Sequence, residues 1–168
     1  ISDPLHTESE HDVVEGLGYL PLTTTFAAHK HLRQVTADCA AFPFLGENIS
    51  VYGMRGYEIH MGETQLADSL EPFSIIKEQN GEATERLDGA VAHGGQVQGT
   101  YLHGVFDNLE WTRRYLNELR LAKGLEPLED QLVSIKDFKD REYDKLADVL
   151  RQSLDMEQIY QIINREEK

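Results

Sequence analysis

The sequence predicts an α/β or α+β fold with C-terminal helices. Three observations carry this: β-prone segments fill the first two thirds, helical spacing takes over in the last third, and the 168 residues are 40% hydrophobic, enough for one core. Residues 1–16 are polar and acidic with little periodicity and read as a surface loop. Residues 18–26 are β-prone, and 32–42 alternate loosely as a second strand. Gly46-Glu47-Asn48 marks a turn, followed by a short apolar piece at 49–52. Arg55 to Thr64 is a third strand candidate, with Tyr57, Ile59 and Met61 on one face and Glu58, His60 and Gly62 on the other. Phe73 to Lys77 is a fourth, closed by the hairpin signal Gln79-Asn80-Gly81-Glu82. Residues 88–92 lead through a His93-Gly94-Gly95 turn to a strand at 96–102, with His103-Gly104 at its end.

Leu109 to Lys123 places Trp111, Tyr115, Leu119 and Ala122 on one stripe, with Asp107 or Asn108 as N-cap and Gly124 as C-cap. A linker begins at Glu126. Residues 136–154 form a second helix, whose Phe138, Tyr143, Leu146, Val149 and Leu150 are expected to be buried. Residues 156–164 form a third, carrying Ile159, Tyr160, Ile162 and Ile163. These stripes read as core, not as cofactor contacts.

The net charge of −14, from 30 acidic and 16 basic residues, argues against a nucleic-acid or anionic-membrane surface, since both require a basic footprint. No apolar run approaches the roughly 20 residues of a membrane span. The polar start, Ile1-Ser2-Asp3-Pro4, has no signal-peptide pattern. The single cysteine excludes an internal disulfide and fits a reducing compartment, so a cytoplasmic location is expected. Because the first residue is Ile1, the chain is expected to be part of a longer one.

Candidate chemistry centres on Gly99-Thr100-Tyr101-Leu102-His103-Gly104, continuing into Val105-Phe106-Asp107-Asn108. A histidine at a strand end, held by a glycine turn, can reach into a cleft and move protons at neutral pH. It needs a nucleophile beside it. Cys39 lacks the glycine-flanked turn of an activated thiol and reads as a packing residue. His60, His103 and Glu58 are the residue types of a zinc set, but their spacing matches no compact metal motif, so no metal is expected. Gly16-Leu17-Gly18 is too short for a phosphate loop.

Gly56-Tyr57-Glu58-Ile59-His60-Met61-Gly62, followed by the Gly99 to Asn108 string, resembles the C-terminal glutamine amidotransferase domain of the cobyric acid synthase family of cobalamin biosynthesis. Glu15 to Pro21, Arg141 to Asp148 and Leu154 to Met156 resemble further segments of that domain in the same order, so the likeness covers nearly the whole chain. The resemblance implies a flavodoxin-like class I amidotransferase fold, truncated at its N-terminus, with residues 1–168 as the C-terminal part of that domain. It implies glutamine as substrate and His103 as catalytic histidine, with Tyr57, Glu58, His60 and Tyr101 lining the cleft. The family's nucleophilic cysteine would precede Ile1. An N-terminal synthetase domain would bind ATP, magnesium and the corrinoid adenosyl-cobyrinic a,c-diamide, and no cofactor is expected in the present domain. The residue two after His103 is Val105, where the wider amidotransferase class carries a glutamate that orients the imidazole. Glu58, Asp107 or a backbone carbonyl are candidates for that task. The rival expectations are the sister domain of cobyrinic acid a,c-diamide synthase and a non-catalytic docking module.

Overall fold

The computed structural model describes residues 1–45, 47–67, 69–129 and 135–164. Strands precede helices, as the pattern predicts. Strand β1 (Leu22–Phe44) and strand β2 (Glu47–Leu66) form a long antiparallel hairpin, in register at Gln34 opposite Tyr57 and Val35 opposite Gly56. Residues 22–26 of the segment expected at 18–26 and the whole of that at 32–42 belong to this one strand, its pairing interrupted between Phe26 and His31, while residues 18–21 precede it without strand pairing. Gly46 of the expected 46–48 turn lies outside the described residues.

Strands β3 (Ser74–Gln79) and β4 (Glu82–Asp88) complete a four-stranded sheet in the order β2-β1-β3-β4. Asn80 and Gly81 join them with positive φ at both positions (51° and 85°), the geometry that an Asn-Gly pair favours in a two-residue hairpin. Asn80 also accepts from the Gln34 amide through Oδ1, tying the turn to β1. A smaller sheet pairs β5 (Ala90–Ala92) with β6 (Val97–Gly99), so the strand expected at 96–102 is shorter than its β-prone run. All pairings between these strands are antiparallel.

A short 3₁₀ turn (Val105–Asp107) leads into helix α1 (Leu109–Ala122). Trp111 is buried, and Tyr115 and Leu119 pack against the core formed with Val35, Phe42, Met54, Phe73 and Ile76. Trp111 stacks on Tyr115 at 4.8 Å and meets Phe73 edge-on at 5.8 Å. The helix closes as a Schellman motif: Gly124 N–H donates to Leu121 O and Leu125 N–H to Arg120 O, with Gly124 at φ +69°.

Helices α2 (Ile135–Ser153) and α3 (Met156–Ile163) belong to a second unit, residues 131–168. Their spacing is helical as expected, but their apolar residues are not buried: Phe138, Tyr143, Leu146, Val149 and Leu150 are all exposed, as are Tyr160, Ile162 and Ile163. Helical period puts apolar residues on one face; only a tertiary partner buries that face. Asp155 caps α3, accepting from Gln158 N at 3.0 Å. No helix among the described residues is long and apolar enough to cross a membrane.

The N-terminal loop is more organised than its composition suggests. Asp3 is buried, and its carboxylate accepts from the Thr7, Glu8 and Ser9 amides and the Thr7 hydroxyl. Burial opposes its charge, but these donors outweigh it and bring the carboxyl from 3.8 to about 2. A lowered carboxyl contributes stability that is complete above pH 3.8 and is lost as pH falls through about 2. Asp3→Asn is therefore expected to flatten the acid limb of the unfolding curve. Superimposable acid titrations of the two proteins, followed by circular dichroism, would contradict this role.

Candidate active site

His103 does not end a strand: β6 stops at Gly99, and the segment from Thr100 that carries His103 to an isolated bridge with Tyr57 is fixed from behind by a buried carboxylate. Asp88 accepts from Ser74 Oγ at 3.0 Å, from the Tyr101 amide at 3.0 Å, and from the Thr100 hydroxyl. Gly89 follows at φ +69°, where a Cβ would sit 2.1 Å from Gly99 O, so only glycine lets the chain pass there. Leu102 is buried, and the next residue emerges exposed.

His103 then pairs with β2. Its amide donates to Tyr57 O at 2.8 Å, and the Tyr57 amide donates to His103 O at 3.3 Å. The approach is so close that a Cβ on Gly56 would lie 2.4 Å from His103 O. The Tyr57 ring lies flat on the imidazole, centroids 4.9 Å apart and planes within 6°. Among the described residues, no hydrogen-bond partner meets the His103 ring.

The turn after His103 is clamped to the same strand. Asn108 Oδ1 accepts from the Arg55 amide, and Nδ2 donates to the carbonyls of Arg55, Gly104 and Val105. Asn108 occupies the N-cap position of α1, as expected, but its side chain makes no cap hydrogen bond, because it is spent on this clamp.

Glu58 and His60 occupy the other face of β2, as the alternation predicts. Glu58 is fully buried and pairs through Oε2 with Arg86 Nη2 at 2.6 Å. Arg86 lies on β4, at the opposite edge of the sheet. In register Arg86 stands level with Ile76, Ala37 and Met54, so in a flat sheet it would lie three strand spacings across, roughly 14 Å, and also four residues along, roughly 13 Å, from Glu58; that is too far for this contact, so the sheet curls its concave face around it. His60 stacks on Tyr101 at 4.1 Å, and its Nδ1 lies 2.8 Å from Gly62 O. A carbonyl can only accept, so Nδ1 carries the proton. Tyr101 OH, Thr64 and Thr24 form a hydroxyl chain at 2.6 and 2.8 Å. These groups border a cavity of about 550 Å³ whose walls include His31, Arg33, His60, Arg86 and Tyr101.

Four of the five residues singled out by the sequence thus form two pairs. Tyr57 joins His103, and His60 joins Tyr101 at the cavity. Glu58, expected to line the cleft, is instead fully buried against Arg86 and is not part of the cavity wall. Among the described residues neither Glu58, engaged by Arg86, nor Asp107 makes a hydrogen bond to the His103 imidazole. His60 and His103 stand apart, and among the described residues no three His, Cys, Asp or Glu side chains are grouped to hold a metal ion. Arg86 and Asp88 carry the site without standing out in the sequence, whereas Gly56 and Asn108 lie inside the two motif strings. Cys39 is 2% exposed in the core, and burial pushes its thiol up to about 11, which keeps it protonated and unreactive at neutral pH.

The structure thus presents an exposed imidazole at His103, apart from a half-open cavity at His60 and Tyr101. Residues 1–111 match the family model of the CobB/CobQ-like glutamine amidotransferase domain, and the chain belongs to that family. It is 76% identical over 168 residues to a cobyric acid synthase of Streptococcus sanguinis (strain SK36), covering 100% of this chain and 32% of that protein. It is 45% identical over 161 residues to a cobyric acid synthase of Limosilactobacillus reuteri (strain DSM 20016), covering 96% and 30%, and 41% identical over 166 residues to one of Thermoanaerobacter sp. (strain X514), covering 98% and 32%. The chain therefore spans about a third of the length of these curated relatives. No solved structure matches it significantly.

Proposed function

We propose that this chain is the histidine-bearing part of a glutaminase that supplies ammonia for cobyric acid formation in a longer, cytoplasmic protein. The observation that carries it is His103, held exposed just beyond β6 by the Tyr57 bridge and the Asn108 clamp, within a family-matched segment. Glutamine is the nitrogen donor. A cysteine thiolate attacks its amide carbon, and His103 takes the thiol proton and delivers it to the departing ammonia. The same imidazole then removes a proton from water, which cleaves the glutamyl thioester to glutamate and restores the thiol. Released ammonia replaces the activated oxygen of corrinoid side-chain carboxylates in a synthetase portion that binds ATP and magnesium.

The nucleophile in this scheme lies outside residues 1–168, because Cys39 is the sole cysteine of the chain and its buried thiol stays protonated. The chain by itself is accordingly expected to release no ammonia from glutamine, whereas the longer protein releases glutamate and amidates the corrinoid acid. The test is a coupled glutamate assay on both. Glutamine turnover by the chain alone, abolished by Cys39→Ala, would assign the nucleophile to Cys39. No glutamine turnover by the longer protein would remove the amidotransferase function.

A further inference from the structure

We propose, on the amidotransferase reading above, that Tyr57 is the positioning residue for His103, taking the place of a hydrogen-bonding carboxylate. Backbone contacts fix where His103 sits: the paired amides with Tyr57 hold its segment, and Asn108 holds the following turn. Neither fixes the rotation of the imidazole about its own side-chain bonds. No hydrogen bond reaches the ring among the described residues, and the remaining constraint is the parallel Tyr57 ring at 4.9 Å. Position two after His103 is Val105, which offers no carboxylate, and the nearest acidic candidate on β2, Glu58, faces the other way and is held by Arg86.

The local sequence fits this task at each position. Gly56 permits the backbone approach that brings the rings together, since any Cβ there would collide with His103 O. Tyr57 then supplies a flat aromatic face that leaves both imidazole nitrogens free. A hydrogen-bonding partner would occupy one nitrogen; a stacked ring restrains the plane while leaving proton transfer open at the edge. Aromatic pairs add roughly 0.5–1.5 kcal/mol beyond buried area, enough to bias a side-chain rotation by severalfold. The stack also covers one imidazole face, so thiol and substrate must approach the ring edge. Tyr57 therefore acts through His103, without touching the reacting atoms.

The experiment uses the longer protein and steady-state kinetics with glutamine and, separately, with ammonium chloride as nitrogen source. Tyr57→Leu is expected to lower glutamine-dependent kcat by roughly 3–10-fold, the rotational bias that a stack of that strength supplies, with KM for glutamine unchanged and ammonia-dependent amidation retained. Tyr57→Phe keeps the ring and is expected to restore kcat to within about twofold, and adding Tyr57→Leu to His103→Ala is expected to cost nothing further. Normal kcat in Tyr57→Leu while His103→Ala is inactive would overturn the positioning role and leave the amidotransferase function standing. Failure of Tyr57→Phe to rescue would assign the effect to the hydroxyl, against stacking. Equal loss with both nitrogen sources would make Tyr57 a folding residue. Full glutamine-dependent activity in His103→Ala would remove the amidotransferase role of the site and the Tyr57 assignment with it.

Discussion

Replacing His103 by alanine in the longer protein is expected to remove glutamine-dependent amidation and spare amidation from free ammonia. Loss of a general base at a thiol typically costs about 10²–10⁴-fold. The segment bearing His103 does not depend on the imidazole for its shape, because it is held by the Asp88 carboxylate, the backbone pair with Tyr57 and the Asn108 clamp. The exposed ring contributes one stacking contact and no hydrogen bond, so its removal should leave the fold intact. Ammonia from solution bypasses the glutaminase step and needs no imidazole. The check is a paired rate measurement with glutamine and with high ammonium chloride. Unchanged glutamine-dependent turnover would take His103 out of the mechanism; equal loss with both donors would mean that the residue supports folding or docking.

Arg86→Met is expected to cause a large loss of stability, about 3 kcal/mol, at the low end of the range for breaking a buried pair. Glu58 is fully buried, whereas the Arg86 side chain is one third exposed and partly screened by water, which places the effect at that low end. Removing the guanidinium strands a carboxylate inside the curled sheet. The cost lies in the stranded charge and not in the lost attraction, so the double variant Arg86→Met with Glu58→Leu should recover most of the stability. Urea unfolding of wild type, both single variants and the double variant measures the coupling. If the double variant is as unstable as Arg86→Met alone, the stranded charge is not the cause.

Much of the fold is legible in the sequence. The Asn80-Gly81 turn, the Trp111 stripe and the Gly124 terminus lie where local rules put them, because each depends on neighbours within a few residues. Cys39 reads correctly as a packing residue for the same reason: no glycine turn surrounds it. The helices at 135–153 and 156–163 are legible as helices but not as exposed ones, since period reports which residues share a face and says nothing about what covers it.

The candidate site divides along the same line. Local sequence is enough to place the strands ahead of the helices, the histidine ahead of a glycine turn and just beyond a short strand, and Tyr57 and Glu58 on opposite faces. All three are consequences of local geometry and of the period-two alternation of a strand. Long-range packing is what stacks Tyr57 on His103, places His60 and Tyr101 at a separate cavity, and brings Arg86 to the buried Glu58 from the far edge of the sheet. Those pairings join residues 28 to 46 positions apart, and their geometry depends on the curl of the sheet and the close approach at Gly56, which no local pattern encodes.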